Sequence, residues 1–265
     1  MLDLIQKPDV AGGSACPCGT GLSRQNCCDL DPRHVEIVAP ERHATALTAL
    51  TRAYHDGDRD TARRLAIEVL EISPGQREAL GALFNVLRDV GQVQAAAAAI
   101  NRLARLFPND ATIRSIAAGF FLQRNDMPHA HGHGRMLVRL APEESVAHFL
   151  MGRIFLASGK AQAAEFHLQS AEQLAAPDKR NAPDLQAARA AALREQGRFA
   201  ESRAIYERIS GEGQLSLQIL LDWASLEEAA RDFTGAFALL DRAEAMHSGS
   251  PLVAVRRAGL HRRVH

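Results

Sequence analysis

From residue 43 onward, apolar and polar positions alternate with the period of an amphipathic helix, and the whole arrangement returns every 34 residues or so. Small residues mark one face: Ala62, Ala96, Ala130, Ala164, Ser202 and Ala236. Seven residues beyond each, two turns along the same face, stand Val69, Leu103, Leu137, Ala171, Ile209 and Ala243. Five residues before each small position come Gly57, Gly91, Asn125, Gly159, Gly197 and Arg231, where a turn between two helices is expected. Pro74, Pro108 and Pro142 share the spacing and would stop the second helix of a pair. A small residue on that second helix lets it cross the first closely, where a bulky one would force them apart. The first helices supply Leu83, Phe121, Met151, Phe155, Leu193 and Trp223 to the same core.

The pattern predicts six helix pairs over 43–76, 77–110, 111–144, 145–182, 183–216 and 217–250, the fourth lengthened by an insertion near Pro177. Residues 251–265 read as a C-terminal capping helix or the start of a seventh repeat. Residues 31–42, with Pro32 and Pro40, read as a short, mostly extended linker in which Val35–Val38 could form a marginal strand. Residues 1–13 form an N-terminal tail.

Paired helices on a 34-residue period resemble tetratricopeptide repeats over residues 43–250. The resemblance implies an all-α, right-handed superhelical solenoid whose concave surface is lined by the first helices. The function expected of the chain is that of a non-catalytic scaffold that holds a protein or peptide partner in that groove. At groove-facing positions of the family pattern stand Asn85, Arg88, Ser115, Gln123, Phe149, Arg153 and Arg194. One aromatic side chain among arginines and amides suits an extended peptide or a partner helix. A clamp for an acidic chaperone tail would need lysine where this chain has Leu47, so such a tail is not expected.

All four cysteines fall between Cys16 and Cys28, as Cys16-Pro-Cys18, eight residues, then Cys27-Cys28. Zinc takes four thiolates tetrahedrally, and Gly19-Thr20-Gly21 lets the chain reverse so that the pairs face each other. Two disulfides or free, redox-active thiols are the alternatives; structural Zn2+ on Cys16, Cys18, Cys27 and Cys28 is the reading adopted. These residues resemble the SEC-C motif, a small zinc-binding element of the SecA C-terminus and other bacterial proteins, with Thr20 in place of the usual serine. In SecA the motif's basic residues contact the chaperone SecB and ribosomes; residues 14–30 offer Arg24, with Arg33 beyond. A SEC-C-like knuckle before a tetratricopeptide array is similar to the N-terminal region of bacterial sulfotransferase-like proteins. The alternative function is therefore the substrate-recognition region of a larger enzyme.

Charge and composition narrow the field further. Lys and Arg number 31, Asp and Glu 31, and the net charge is zero, so no global positive field favours nucleic acid. No apolar run approaches the ~20 residues of a membrane span, and Met1–Lys7 lacks a signal-peptide pattern, so a cytoplasmic location is expected. No phosphate loop, nucleophile elbow or His-Glu-x-x-His is present, and a four-cysteine zinc site is closed to substrate. Glu227 and Glu228 read as a solvated helix face. His129 and His133, four apart, could share a face and a second metal; the plainer reading is a weakened helix with exposed histidines. The array, having its own core, is expected to keep its helices when zinc is withdrawn.

Overall fold

A residue with positive φ turns the chain sharply after a helix, and the six periodic turn positions all adopt it. Gly57 (φ 81°), Gly91 (75°), Gly159 (69°) and Gly197 (75°) do so freely, and Asn125 (58°) is tolerant, whereas Arg231 (63°) accepts strain of roughly 1–2 kcal/mol. The computed structural model describes residues 15–213 and 215–264, so the tail at 1–13 lies outside it. The helices are α1 Ala44–His55, α2 Arg59–Ile72, α3 Arg77–Asp89, α4 Val93–Leu106, α5 Ala111–Gln123, α6 Met127–Leu140 and α7 Ser145–Ala157. They continue as α8 Ala161–Leu174, α9 Pro183–Glu195, α10 Phe199–Gly211, α11 Leu217–Ala229, α12 Phe233–Met246 and α13 Pro251–Val264. Side chains of Asp58, Gln76, Asp126, Ser216 and Asp232 accept first-turn amides and fix where five of these helices begin. None of the described helices is long and apolar enough to cross a membrane.

The chain forms two compact units, the first reaching Ile113 and the second beginning at Arg114. Within the first, α1–α4 bury Leu50, Leu70, Leu83, Leu87 and Ile100 almost completely, with Ala62 and Ala96 at the helix crossings. Within the second, Ala130, Ala164, Ser202 and Ala236 take the equivalent places; none of the six small residues is more than 1% exposed. The α7–α8 crossing is close: a Cβ added to Gly152 would lie 2.6 Å from Leu168 Cγ and 3.2 Å from the Ala164 carbonyl oxygen.

That crossing leaves no room for growth. Ala164→Leu should cost roughly 1–3 kcal/mol in denaturant unfolding, while Gln169→Leu, on the exposed face of the same helix, should change little. Equal tolerance at the two positions would show that the helices pack by other faces.

Two expectations are corrected. No strand forms at Val35–Val38; this segment instead joins single turns of 3-10 helix at Pro32–His34 and Pro40–His43. The segment is held against the first helix pair: a Cβ on Gly75 would lie 2.2 Å from the Glu36 carbonyl oxygen, and His43 Nε2 meets Ser73 Oγ at 2.8 Å. Glu227 is no solvated residue either. It is 4% exposed, ion-paired to Arg203, and accepts a hydrogen bond from Trp223 Nε1 at 2.9 Å. The pairing arginine comes from α10, and an interhelix partner leaves no trace in local sequence.

Candidate metal centre and partner-binding cavity

The thiol cluster is built by one tight reversal of the chain. Gly19 (φ 83°) and Gly21 (φ 89°) both need the left-handed region, and the Cys16 amide donates to the Leu22 carbonyl at 2.9 Å across the turn they make. Leu22 is fully buried beneath it. The turn brings Cys16 and Cys18 to Cys27 and Cys28, with all four sulfurs within 4.8 Å of one another. Cys18 Sγ and Cys27 Sγ are 3.4 Å apart, and Thr20 Oγ1 lies 3.3 Å from each. Four sulfurs bound tetrahedrally at about 2.3 Å would stand about 3.8 Å apart, so this cluster has the size of a zinc–thiolate site. Among the described residues it is the one such group of potential metal ligands.

Protonation fits the same picture. Burial would raise the Cys16 thiol, but hydrogen bonds from the Cys18 and Cys28 backbone and thiols outweigh it and hold it at about 6. Cys28, hydrogen-bonded to Cys16, is pushed up to about 11, and burial pushes Cys27 up as well. Crowded thiols thus share their protons unequally, and a dication would release the remaining ones.

The helices hold this knuckle in place through contacts that link distant parts of the sequence. The Glu71 carboxylate on α2 accepts from the Ser23 amide at 2.5 Å, from Ser23 Oγ at 2.7 Å and from Asn26 Nδ2 at 2.7 Å. Burial works against the Glu71 anion, yet these bonds and the Arg102 charge keep its pKa below the ordinary carboxylate value. Arg102 on α4, 3% exposed, donates to the Asn26 carbonyl and to the Pro74 carbonyl at 2.7 Å. Arg63 donates to the Gly19 carbonyl at 3.2 Å. Burial lowers the Arg102 pKa, opposed by attraction to Cys27 and Glu71, so a cation lies against the thiols. Four thiolates around Zn2+ carry a net negative charge, which Arg102 would offset. Glu71, Arg102 and Arg63 were invisible as site residues because they look like ordinary polar positions on α2 and α4.

The second unit has a separate concavity of about 620 Å³ lined by α5, α7, α9 and α11. Gln123, Phe149 and Arg153 line it, joined by Asp184, Gln218 and Asp222, which the sequence pattern did not single out. The Arg153 guanidinium lies 5.7 Å from the Phe149 ring centre, a cation–π arrangement. Burial raises the Asp222 carboxyl pKa, against a hydrogen bond from Gln218 and the charges of Arg194 and Arg256. Ser115 sits half-buried on α5, and Arg194 on α9 is ion-paired to Glu195 at 2.7 Å. Asn85 and Arg88 belong to the first unit, where Arg88 pairs with Asp89 at 3.0 Å. Leu47 is buried in the core of α1.

The histidines of α6 are more deeply engaged than expected. His133 is 7% exposed, stacks on Phe121 with ring centres 5.6 Å apart, and places Nδ1 3.2 Å from Arg114 Nη1. Burial first, then the charges of Arg114 and His129, push its pKa down to about 4. His129 stacks on the same ring and holds Asp126 Oδ2 at 2.9 Å. An aromatic ring on α5 therefore explains the i,i+4 pair.

Comparison with solved structures places this architecture. A tetratricopeptide repeat protein from Parabacteroides merdae superposes with a TM-score of 0.74 at 15% identity, covering 83% of this chain and 86% of that one. The fold is that of tetratricopeptide-repeat proteins. PilF from Pseudomonas aeruginosa (TM-score 0.61, 18% identity, 83% of this chain and 98% of that) has the same fold. So does PilW, a type IV pilus biogenesis factor (0.66, 14%, 82% and 99%). A chain of the APC/C hetero-tetramer Cut9–Hcn1 matches over 86% of this chain and 44% of its own (0.62, 17%). At these identities the likeness concerns fold alone. No protein-family model and no curated protein matches the chain.

Proposed function

We propose that this chain is a non-catalytic, cytoplasmic scaffold in which a SEC-C-like zinc knuckle is docked on a tetratricopeptide array that holds a protein or peptide partner. The observation that carries this reading is the α5–α7–α9–α11 cavity, where the exposed Arg153 and half-buried Phe149 stand opposite Asp184, Gln218 and Asp222. A polypeptide offers apolar side chains, amide donors and carbonyl acceptors together, and this lining answers all three. An aromatic residue beside an arginine is a composition typical of binding hot spots. The matching chain of the Cut9–Hcn1 hetero-tetramer was crystallised with a protein partner, which accords with this use of the fold. Zinc, when bound, would tie the two cysteine pairs of the knuckle together without taking part in a reaction.

Affinity capture from cell extract tests this assignment. Phe149→Ala with Arg153→Ala should lose the partner, an effect of about 2 kcal/mol or thirtyfold in affinity, and should leave zinc content and helicity intact. Cys27→Ser with Cys28→Ser should retain it. Retention of every partner by the cavity variant, with loss of all by the cysteine variant, would move recruitment to the knuckle.

A further inference from the structure

A second concavity, of about 620 Å³, is formed by α6, α7 and α8 and shares no lining residue with the partner cavity. On α7, Met151 and Phe155 line this one, while Phe149 and Arg153 line the other. A step of two residues is about 200° around a helix, so the two hollows lie on opposite faces of α7. The rim of the second hollow carries Arg135, Arg139 and Lys160, with His131 and His167, and no carboxylate lines it. No described residue forms an ion pair with Arg135, Arg139 or Lys160, although Arg189 and Arg198 of the same unit are paired to carboxylates at 2.7 Å. Arg135, Arg139 and Lys160 are exposed.

The floor is apolar and aromatic. His131 meets the Phe155 ring edge-on at 5.2 Å, and His167 stacks on that ring at 5.4 Å, giving a histidine–phenylalanine–histidine wall. His131 Nε2 is fixed to Ser158 Oγ at 2.9 Å, and His167 Nδ1 meets His148 Nδ1 at 3.2 Å. Lys160 is also the residue preceding α8, whose first turn has no side-chain cap, so the partial positive charge of a helix start adds to the cationic rim. Burial, followed by the charges of Lys160 and Arg135, lowers the His131 pKa, which places those cations close to the imidazole.

We infer that this hollow is a binding site for a phosphate monoester borne on an apolar or aromatic body, the phosphate held by Arg135, Arg139 and Lys160 and the body by Phe155 and Met151. An uncompensated cationic rim seeks a multiply charged oxyanion, and arginine grips one bidentately. The volume far exceeds that of inorganic phosphate, so the aromatic wall would contribute only if the ligand carries an organic group. The same chemistry is offered by a phosphotyrosine side chain and by a small aromatic phosphate.

Calorimetric titration of the full chain separates the outcomes. Phenyl phosphate should bind with a Kd of roughly 1 mM or tighter, and inorganic phosphate at least about tenfold more weakly, because it forfeits the aromatic wall. Benzyl alcohol should not bind measurably. Arg135→Gln with Lys160→Gln, both exposed changes that spare the core, should weaken phenyl phosphate by about tenfold or more. A phosphotyrosine peptide binding more tightly than phenyl phosphate would assign the ligand to a protein, and equal affinity would assign it to a small molecule; either supports the site. The inference is overturned if phenyl phosphate fails to bind at 10 mM (roughly ten times the expected Kd), binds no better than inorganic phosphate, or binds the double variant equally well.

Discussion

Withdrawing metal with a chelator under reducing conditions should unfold the knuckle and loosen the first unit with it, while the second unit stays as it was. Binding energy on the order of 10 kcal/mol orders a zinc knuckle of this size, so apo-residues 15–28 should lose their fold outright. Glu71 and Arg102 would then exchange Ser23, Asn26 and the thiolates for water. Hydrogen bonds to charged groups contribute roughly 1.5–3 kcal/mol each when the partner is lost to a buried site, less where solvent replaces it. Amide hydrogen exchange should therefore accelerate in α2 and α4 near Glu71 and Arg102, whereas α7–α12 keep their protection. The helical circular dichroism should largely survive. Unchanged exchange in α2 and α4 would mean that the knuckle rests on the helices without supporting them.

Acid should destabilise the second unit through His133. Its pKa is depressed to about 4 in the fold and returns to about 6.5 in the unfolded chain. Above pH 6.5 both states hold the neutral ring, and the full stability is present. Between pH 6.5 and 4 the unfolded chain takes up a proton that the fold refuses, so stability falls as pH drops, by up to about 3 kcal/mol in total. Arg114 and Phe121 on α5 and His129 on its own helix face His133, and the Arg114 guanidinium first of all opposes a second positive charge there. Denaturant unfolding of the wild type should show this slope, and His133→Gln, which cannot titrate, should flatten it. Parallel slopes in the two proteins would contradict the buried, neutral imidazole.

What the sequence made legible follows from the range of the interactions involved. A helix pair is a local object, so its turn glycines, small crossing residues and terminating prolines recur at fixed spacing; Ala62 through Ala236 are buried as that spacing implies. The thiol cluster was legible for the same reason, since Cys16 to Cys28 is one short loop. Longer-range pairings were not. Glu71 and Arg102 reach the knuckle across dozens of residues, and each looks like any polar residue of a repeat helix. Asp126 was overlooked as a neighbour of His129, and the Phe121 ring that buries His133 belongs to another helix. Of the groove positions, Gln123, Phe149 and Arg153 share a cavity because α5 and α7 are adjacent in one unit. Asp184 and Asp222 complete it only through the packing of α9 and α11.

Native mass spectrometry of freshly reduced protein, read together with thiol alkylation, tests the metal centre most directly. One zinc ion per chain is expected, with Cys16, Cys18, Cys27 and Cys28 resisting alkylation until a chelator is added, and with the metal lost in Cys27→Ser with Cys28→Ser. A metal-free chain whose four thiols alkylate at once, or zinc retained by that double variant, would contradict it.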